Sequence, residues 1–171
     1  MNEKVDDWQA RFEYARLLKN LKKYDEALDQ YDALLKEKPD SNLVKIEIAE
    51  VLFYQGKSNE ALIELEKIPQ NEMSEQSLLL MAENYQALKE YARAEKIYRD
   101  LLEKKPNDSP IKLKLAELLS WEKRYAESIE LYEELLTAYP EDIQLRRKYA
   151  FVLMWMGNDK EAAEELKKTL K

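Results

Sequence analysis

The side chains with the most chemical potential in this sequence are carboxylates and aromatic rings set at one long interval. Glu50, Glu83 and Glu117 stand 33 and 34 residues apart, and Tyr54, Trp121 and Trp155 share a position four residues further along the same pattern. A row of carboxylates favours basic or hydrogen-bond-donating ligands. Rigid rings anchor protein partners, and beside carboxylates they can also stack on sugars. Other chemistry is limited by what is missing. With no cysteine there is no disulfide, thiolate metal site or cysteine nucleophile. With no histidine, the usual general base and the commonest metal ligand are gone. The three glutamates make a poor catalytic set: no third group supports them, and neighbouring helices hold such groups about 10 Å apart. No catalytic residue, metal or cofactor is expected.

Each track also has a plainer explanation. Three acids at one register position suit an ordinary solvated face in a Glu-rich protein. Large rings at helix ends suit the seal between adjacent structural units. Both explanations stay open at the level of sequence.

Composition points to a helical scaffold. The 171 residues are 37% charged and 45% hydrophobic, with only two glycines and five prolines, too few turn formers for an all-β fold. The length allows one domain, residues 1–171, with a sizeable core. A net charge of −7 favours a basic or neutral partner over nucleic acid. The opening MNEKVDDW lacks the apolar core of a signal peptide, and no run approaches the ~18 apolar residues of a membrane span. A cytoplasmic location is expected if the chain is whole, and other compartments stay open if it is a fragment.

The elements that position these side chains repeat. Ala15, Ala49, Ala82, Ala116 and Ala150 are separated by 34, 33, 34 and 34 residues. Ala27, Ala61, Ala94, Ser128 and Ala162 follow the same four intervals, and Tyr31, Leu65, Tyr98, Tyr132 and Leu166 lie one helical turn further on. Small residues let the two helices of a pair approach, while Leu18, Leu52, Tyr85, Leu119 and Leu153 fill the layers around them. The spacing predicts ten helices, at about 7–20, 24–37, 41–54, 58–68, 74–87, 91–104, 110–121, 125–138, 142–155 and 159–170. They group into units 8–41, 42–74, 75–108, 109–142 and 143–171.

Punctuation follows the same interval. Pro39, Pro106 and Pro140 close units one, three and four, and Asp40-Ser41, Asp108-Ser109 and Glu141-Asp142 supply caps for the next helix. Ser109-Pro110 reads as a cap followed by proline at the first helical position. Asn158 with Glu161 reads as a capping box. Unit two is one residue short, Met73 replaces its closing proline, and Pro69 should end its second helix about a turn early.

These tracks resemble the tetratricopeptide repeat, a 34-residue helix–turn–helix unit, over about residues 8–171. The five first-helix alanines, the second-helix alanines (with Ser128 as a departure), Tyr31, Tyr98 and Tyr132, and the three closing prolines match its pattern. Its first-helix tryptophan is absent; Arg11, Lys45, Leu78, Lys112 and Arg146 stand there. The resemblance implies an all-α, right-handed solenoid of five repeats and ten antiparallel helices. Its first helices would line a concave groove that holds a peptide or protein. Members that grip a C-terminal carboxylate use Lys and Asn one turn apart, and no unit here has that pair. The groove residues expected are Phe12, Arg16, Glu50, Tyr54, Glu83, Glu117, Trp121, Phe151 and Trp155.

A second reading makes the chain a structural module that self-associates through its ends, or part of a larger secretion or envelope-assembly protein touching polysaccharide. Solenoid ends leave apolar faces uncovered unless capped. Ala162, Ala163, Leu166 and Leu170 share such a face at one end, and Trp8 and Phe12 are the matching expectation at the other.

Overall fold

The computed structural model describes residues 3–170, with side chains from residue 7 onward. Its helices are α1 (Glu3–Asn20), α2 (Tyr24–Glu37), α3 (Asn42–Tyr54), α4 (Ser58–Glu66), α5 (Glu75–Ala87), α6 (Tyr91–Lys104), α7 (Ser109–Trp121), α8 (Tyr125–Ala138), α9 (Ile143–Met156) and α10 (Asp159–Lys167). Among the described residues there is no strand, and the all-α helical repeat solenoid is the fold. The chain divides into two compact units, residues 1–90 and 91–171. In the first, α1 packs on α2, α2 on α3, α3 on α4 and α5, and α4 on α5. In the second, each helix from α6 to α10 packs on the next.

First helices open on side-chain caps that recur with the repeat. Ser41, Ser74, Asp108 and Asp142 accept bonds from the backbone N–H three residues on, at 3.4, 3.1, 3.1 and 2.9 Å. The cap of α7 is therefore Asp108, with Ser109 already inside the helix ahead of Pro110.

Second helices open differently. Lys22, Gly56, Lys89, Lys123 and Gly157 all carry positive φ, between 60° and 92°, at one register position. The next residue in each case donates its N–H back across the turn, to Leu18, Leu52, Tyr85, Leu119 and Leu153 O, at 2.8–2.9 Å. This left-handed turn aims the second helix, so a side-chain cap is not required there. The capping box expected at Asn158 does not form: its side chain makes no cap bond, and Glu161 instead accepts from Tyr149 Oη at 3.4 Å.

The core follows the small-residue tracks. All five first-helix alanines are buried, as are Ala27, Ala61, Ala94, Ser128 and Ala162. Ser128 is tolerated because its hydroxyl donates to Ala116 O at 2.7 Å, which satisfies a buried polar group. Tyr31, Leu65, Tyr98 and Tyr132 are buried one turn on. In the shortened repeat, α4 ends at Glu66, ahead of Pro69, and a 3₁₀ turn at Gln70–Glu72 carries the chain to α5.

Candidate functional site

Phe12 is a core residue, contrary to the expectation that it lines a groove. It is buried, with its ring stacked on Trp8 (centroids 5.5 Å, interplanar 4°) and edge-on to Tyr31 at 6.0 Å. Trp8 is in turn covered by Lys38, whose Nζ lies 4.2 Å from the ring centroid. Trp8, Phe12, Ala15 and Leu18 form one helical stripe against α2, so the uncovered face of α1 is elsewhere. It consists of Tyr14, Leu17 and Leu21.

Two of the expected groove residues, Arg16 and Glu50, belong to a charge cluster built by α1, α2, α3 and α5. Lys19 Nζ sits between Glu47 Oε2 at 2.5 Å and Glu50 Oε2 at 2.6 Å. Tyr31 Oη donates to Glu47 at 2.9 Å, Arg16 Nε reaches the same carboxylate at 3.5 Å, and Gln76 Nε2 donates to Glu50 at 2.9 Å. Arg16 is shared with Glu13 at 3.4 Å, so three acids meet two bases in the network. Burial alone would lower the Lys19 pKa, but the bonds to Glu47 and Glu50 outweigh it and hold the ammonium above its ordinary value. Burial, reinforced by the Glu47 carboxylate, pushes the Tyr31 phenol up. Glu50 is thus a link between successive first helices rather than an exposed acid.

Glu83 is half-buried, and with Glu50 and Tyr54 it lines a single groove of about 380 Å³ between α3 and α5, whose apolar wall includes Phe53, Leu79 and Leu80. Tyr54 is exposed on one side and leans on Tyr24 on the other, with centroids 6.2 Å apart. Three expected residues therefore meet at one surface.

In residues 91–171, Glu117 is paired with Lys148, which ties α7 to α9. Trp155 packs beside Phe151 (6.5 Å) and Tyr125 (6.4 Å), repeating the contact of Tyr54 with the tyrosine that opens the preceding second helix. Trp121, Phe151 and Trp155 all keep about half their surface exposed; for Trp121 the figure is 53%. Phe151 and Trp155 thus combine a ring contact with an open face.

Glu47, Lys19 and Gln76 were not singled out by sequence. Glu47 carried a signal, since it interrupts Ile46 and Ile48 on the apolar helix NLVKIEIAEVLFY. An acid on a buried face requires a partner. Among the described residues, no group of three acidic, histidine or cysteine side chains could hold a metal ion. None of the described helices is long and apolar enough to cross a membrane.

The tetratricopeptide repeat model matches residues 121–171, and the model for the N-terminal TPR repeats region of Psidin matches residues 17–132. Comparison with curated proteins returns no match. Among solved structures, the chain is similar to MamA 41-end from Desulfovibrio magneticus RS-1, at TM-score 0.84 and 15% identity, covering 96% of this chain and 94% of that one. It is similar to a tetratricopeptide repeat protein from Parabacteroides merdae ATCC 43184 at TM-score 0.81 and 21% identity, covering 94% of this chain and 63% of that one. It also resembles YrrB, described as a TPR protein with an unusual peptide-binding site, at TM-score 0.73 and 17% identity, covering 94% and 83%. The recurring cap, left-handed turn and small-residue layers are the physical content of these matches. The chain belongs to the tetratricopeptide repeat family, whose helical-repeat fold is typically a non-catalytic protein-interaction scaffold.

Proposed function

We propose that this chain is a non-catalytic binding module that holds a peptide or protein segment on the first-helix face of its repeats. The observation that carries the reading is the groove between α3 and α5, where Tyr54 offers an exposed ring, Phe53 and Leu79 offer apolar wall, and the Glu50 and Glu83 side chains line the polar side. Pockets that combine an apolar floor with a few polar groups suit side-chain recognition. The half-exposed rings of Trp121, Phe151 and Trp155 supply anchors of the same kind in residues 91–171. The peptide-binding site named for the similar YrrB supports this class of ligand.

The partner is a basic or neutral segment, and nucleic acid is disfavoured, because the chain carries a net charge of −7. Glu50 is already bonded to Lys19 and Glu117 to Lys148, so charge preference rests on the wider field more than on the acid row. The test is selection from a displayed peptide library, followed by titration of the enriched peptides. Tyr54→Ala with Glu83→Lys should weaken them about tenfold or more, an effect on the scale of an interface hot spot, with helicity unchanged. Peptides that bind both forms equally would remove the groove from consideration.

A further inference from the structure

The repeat register shows what the uncovered face of α1 is built to meet. Tyr14 and Leu17 occupy the positions of Ile48 and Val51 on α3, Leu115 and Leu118 on α7, and Tyr149 and Val152 on α9. Those six side chains are buried, and each of these helices packs on the second helix of the preceding repeat. On α1 the same positions are open: Leu17 is 60% exposed where Val51 is 0%. Leu21 extends the stripe by one more turn. An apolar surface of this kind carries the complementarity of an internal joint without its other half.

The missing half is present at the far end of the sequence. In the last internal joint, Leu136 of α8 packs against the cluster that contains Tyr149 and Val152. Its equivalent one repeat later is Leu170, just beyond α10, which is 76% exposed. Met154 on α9 is likewise exposed where its equivalent Ser120 is buried. One end thus offers the surface of a first helix, and the other offers the surface that normally covers one.

We propose that a second copy of this chain occupies the α1 face. Its Met154 and Leu170 would meet Tyr14, Leu17 and Leu21, continuing the repeat-to-repeat joint between molecules. The contact joins two different surfaces, so a dimer keeps one free surface of each kind and association continues past it, to a ring if the rotation closes and a filament if it does not. It uses neither Tyr54 nor Glu83 and stands apart from the groove reading. Because the chain is acidic, screening by added salt strengthens the contact.

Sedimentation velocity on the intact chain across a wide concentration range tests this directly. The weight-average mass should climb with concentration beyond that of a dimer. Leu17→Glu and Leu170→Glu each spoil one end at an exposed site, and each should weaken self-association about tenfold or more, in line with losing one buried leucine contact. Each variant keeps the end that the other lacks, so mixing them should restore a discrete one-to-one complex and nothing larger. Circular dichroism checks that helicity is intact; Leu17→Lys replaces Leu17→Glu if it is not. A wild-type chain that stays monomeric throughout overturns the proposal. So do variants that associate like wild type, or an associating wild type whose two variants fail to pair.

Discussion

Residues 1–90 and 91–171 use the same repeat joint but carry charge across it in different ways. In the first unit, Glu50 takes its cation from the preceding first helix, and Lys19 is enclosed, with its side chain 11% exposed. In the second, Glu117 holds the same register position but takes its cation from the following first helix, and Lys148 is 46% exposed. The second unit adds an outer network in which Arg124 binds Glu95 at 2.6 Å and Glu127 at 2.7 Å, while Arg99 reaches both carboxylates. The repeat therefore determines where backbones meet and leaves the electrostatics of each joint to local substitution. An enclosed ion pair is expensive to break, because the surviving charges lose both water and partner. An exposed pair is screened and contributes little.

The strongest way to break this comparison is Lys19→Met. It leaves Glu47 and Glu50 close together and without their shared cation, and should cost about 3 kcal/mol of stability by urea denaturation. A loss below about 1 kcal/mol would put Lys19 among ordinary surface pairs.

A pH series separates the buried phenols, present in both units, from the paired carboxylates of the second. Burial holds the Tyr31, Tyr132 and Tyr149 phenols above their ordinary value of 10.0. Their contribution is complete below pH 10, where both folded and unfolded chains keep the proton. It is lost above that, as the unfolded chain ionises first. The carboxylates of the second unit run the other way. Burial alone would raise Glu95 and Glu165, but bonds from Arg124 and Arg99 to the former, and from Lys168 and Arg146 to the latter, hold both below 4.5. Arg124 does the same for Glu127. Their contribution is present above pH 4.5 and is lost as pH falls through the lowered values. Thermal melts should drop at both extremes; the acid side should follow Trp121 and Trp155 fluorescence. A melting temperature unchanged between neutral pH and about pH 11 would contradict the alkaline half, given the usual phenol range.

The smallest effect is expected for Glu117→Gln. The exposed pair with Lys148 should be worth no more than about 0.5 kcal/mol, and less at high salt. A loss comparable to that of Lys19→Met would erase the distinction between the two joints.

Much of the architecture was legible because packing layers impose hard size limits. An alanine at positions 15, 49, 82, 116 and 150 is the visible trace of two helices in close approach, and its interval gives the repeat. Pro69 marked the early end of α4 for an equally local reason. Cap chemistry was less legible: Asp108 and Ser109 are both good capping residues, and one residue of helical phase decides between them. Phe12 misled because an aromatic on a first helix fits either a groove or a core. Its pairing with Trp8 and Tyr31 depends on a second helix that the local pattern does not describe.

The sequence by itself determined the helix pairs, their repeat, the buried small-residue tracks and the absence of histidine and cysteine chemistry. These follow from periodicity and composition, which act along the chain. Only the tertiary structure decided that Glu50 and Glu117 are spent on internal cations, that Tyr54 gathers Glu50 and Glu83 around one groove, and that Tyr14, Leu17 and Leu21 are the uncovered face of α1. Those outcomes depend on which side chains from different helices arrive within a few ångströms of one another. Ion-pair energies and burial change steeply over that distance, while a sequence interval stays the same.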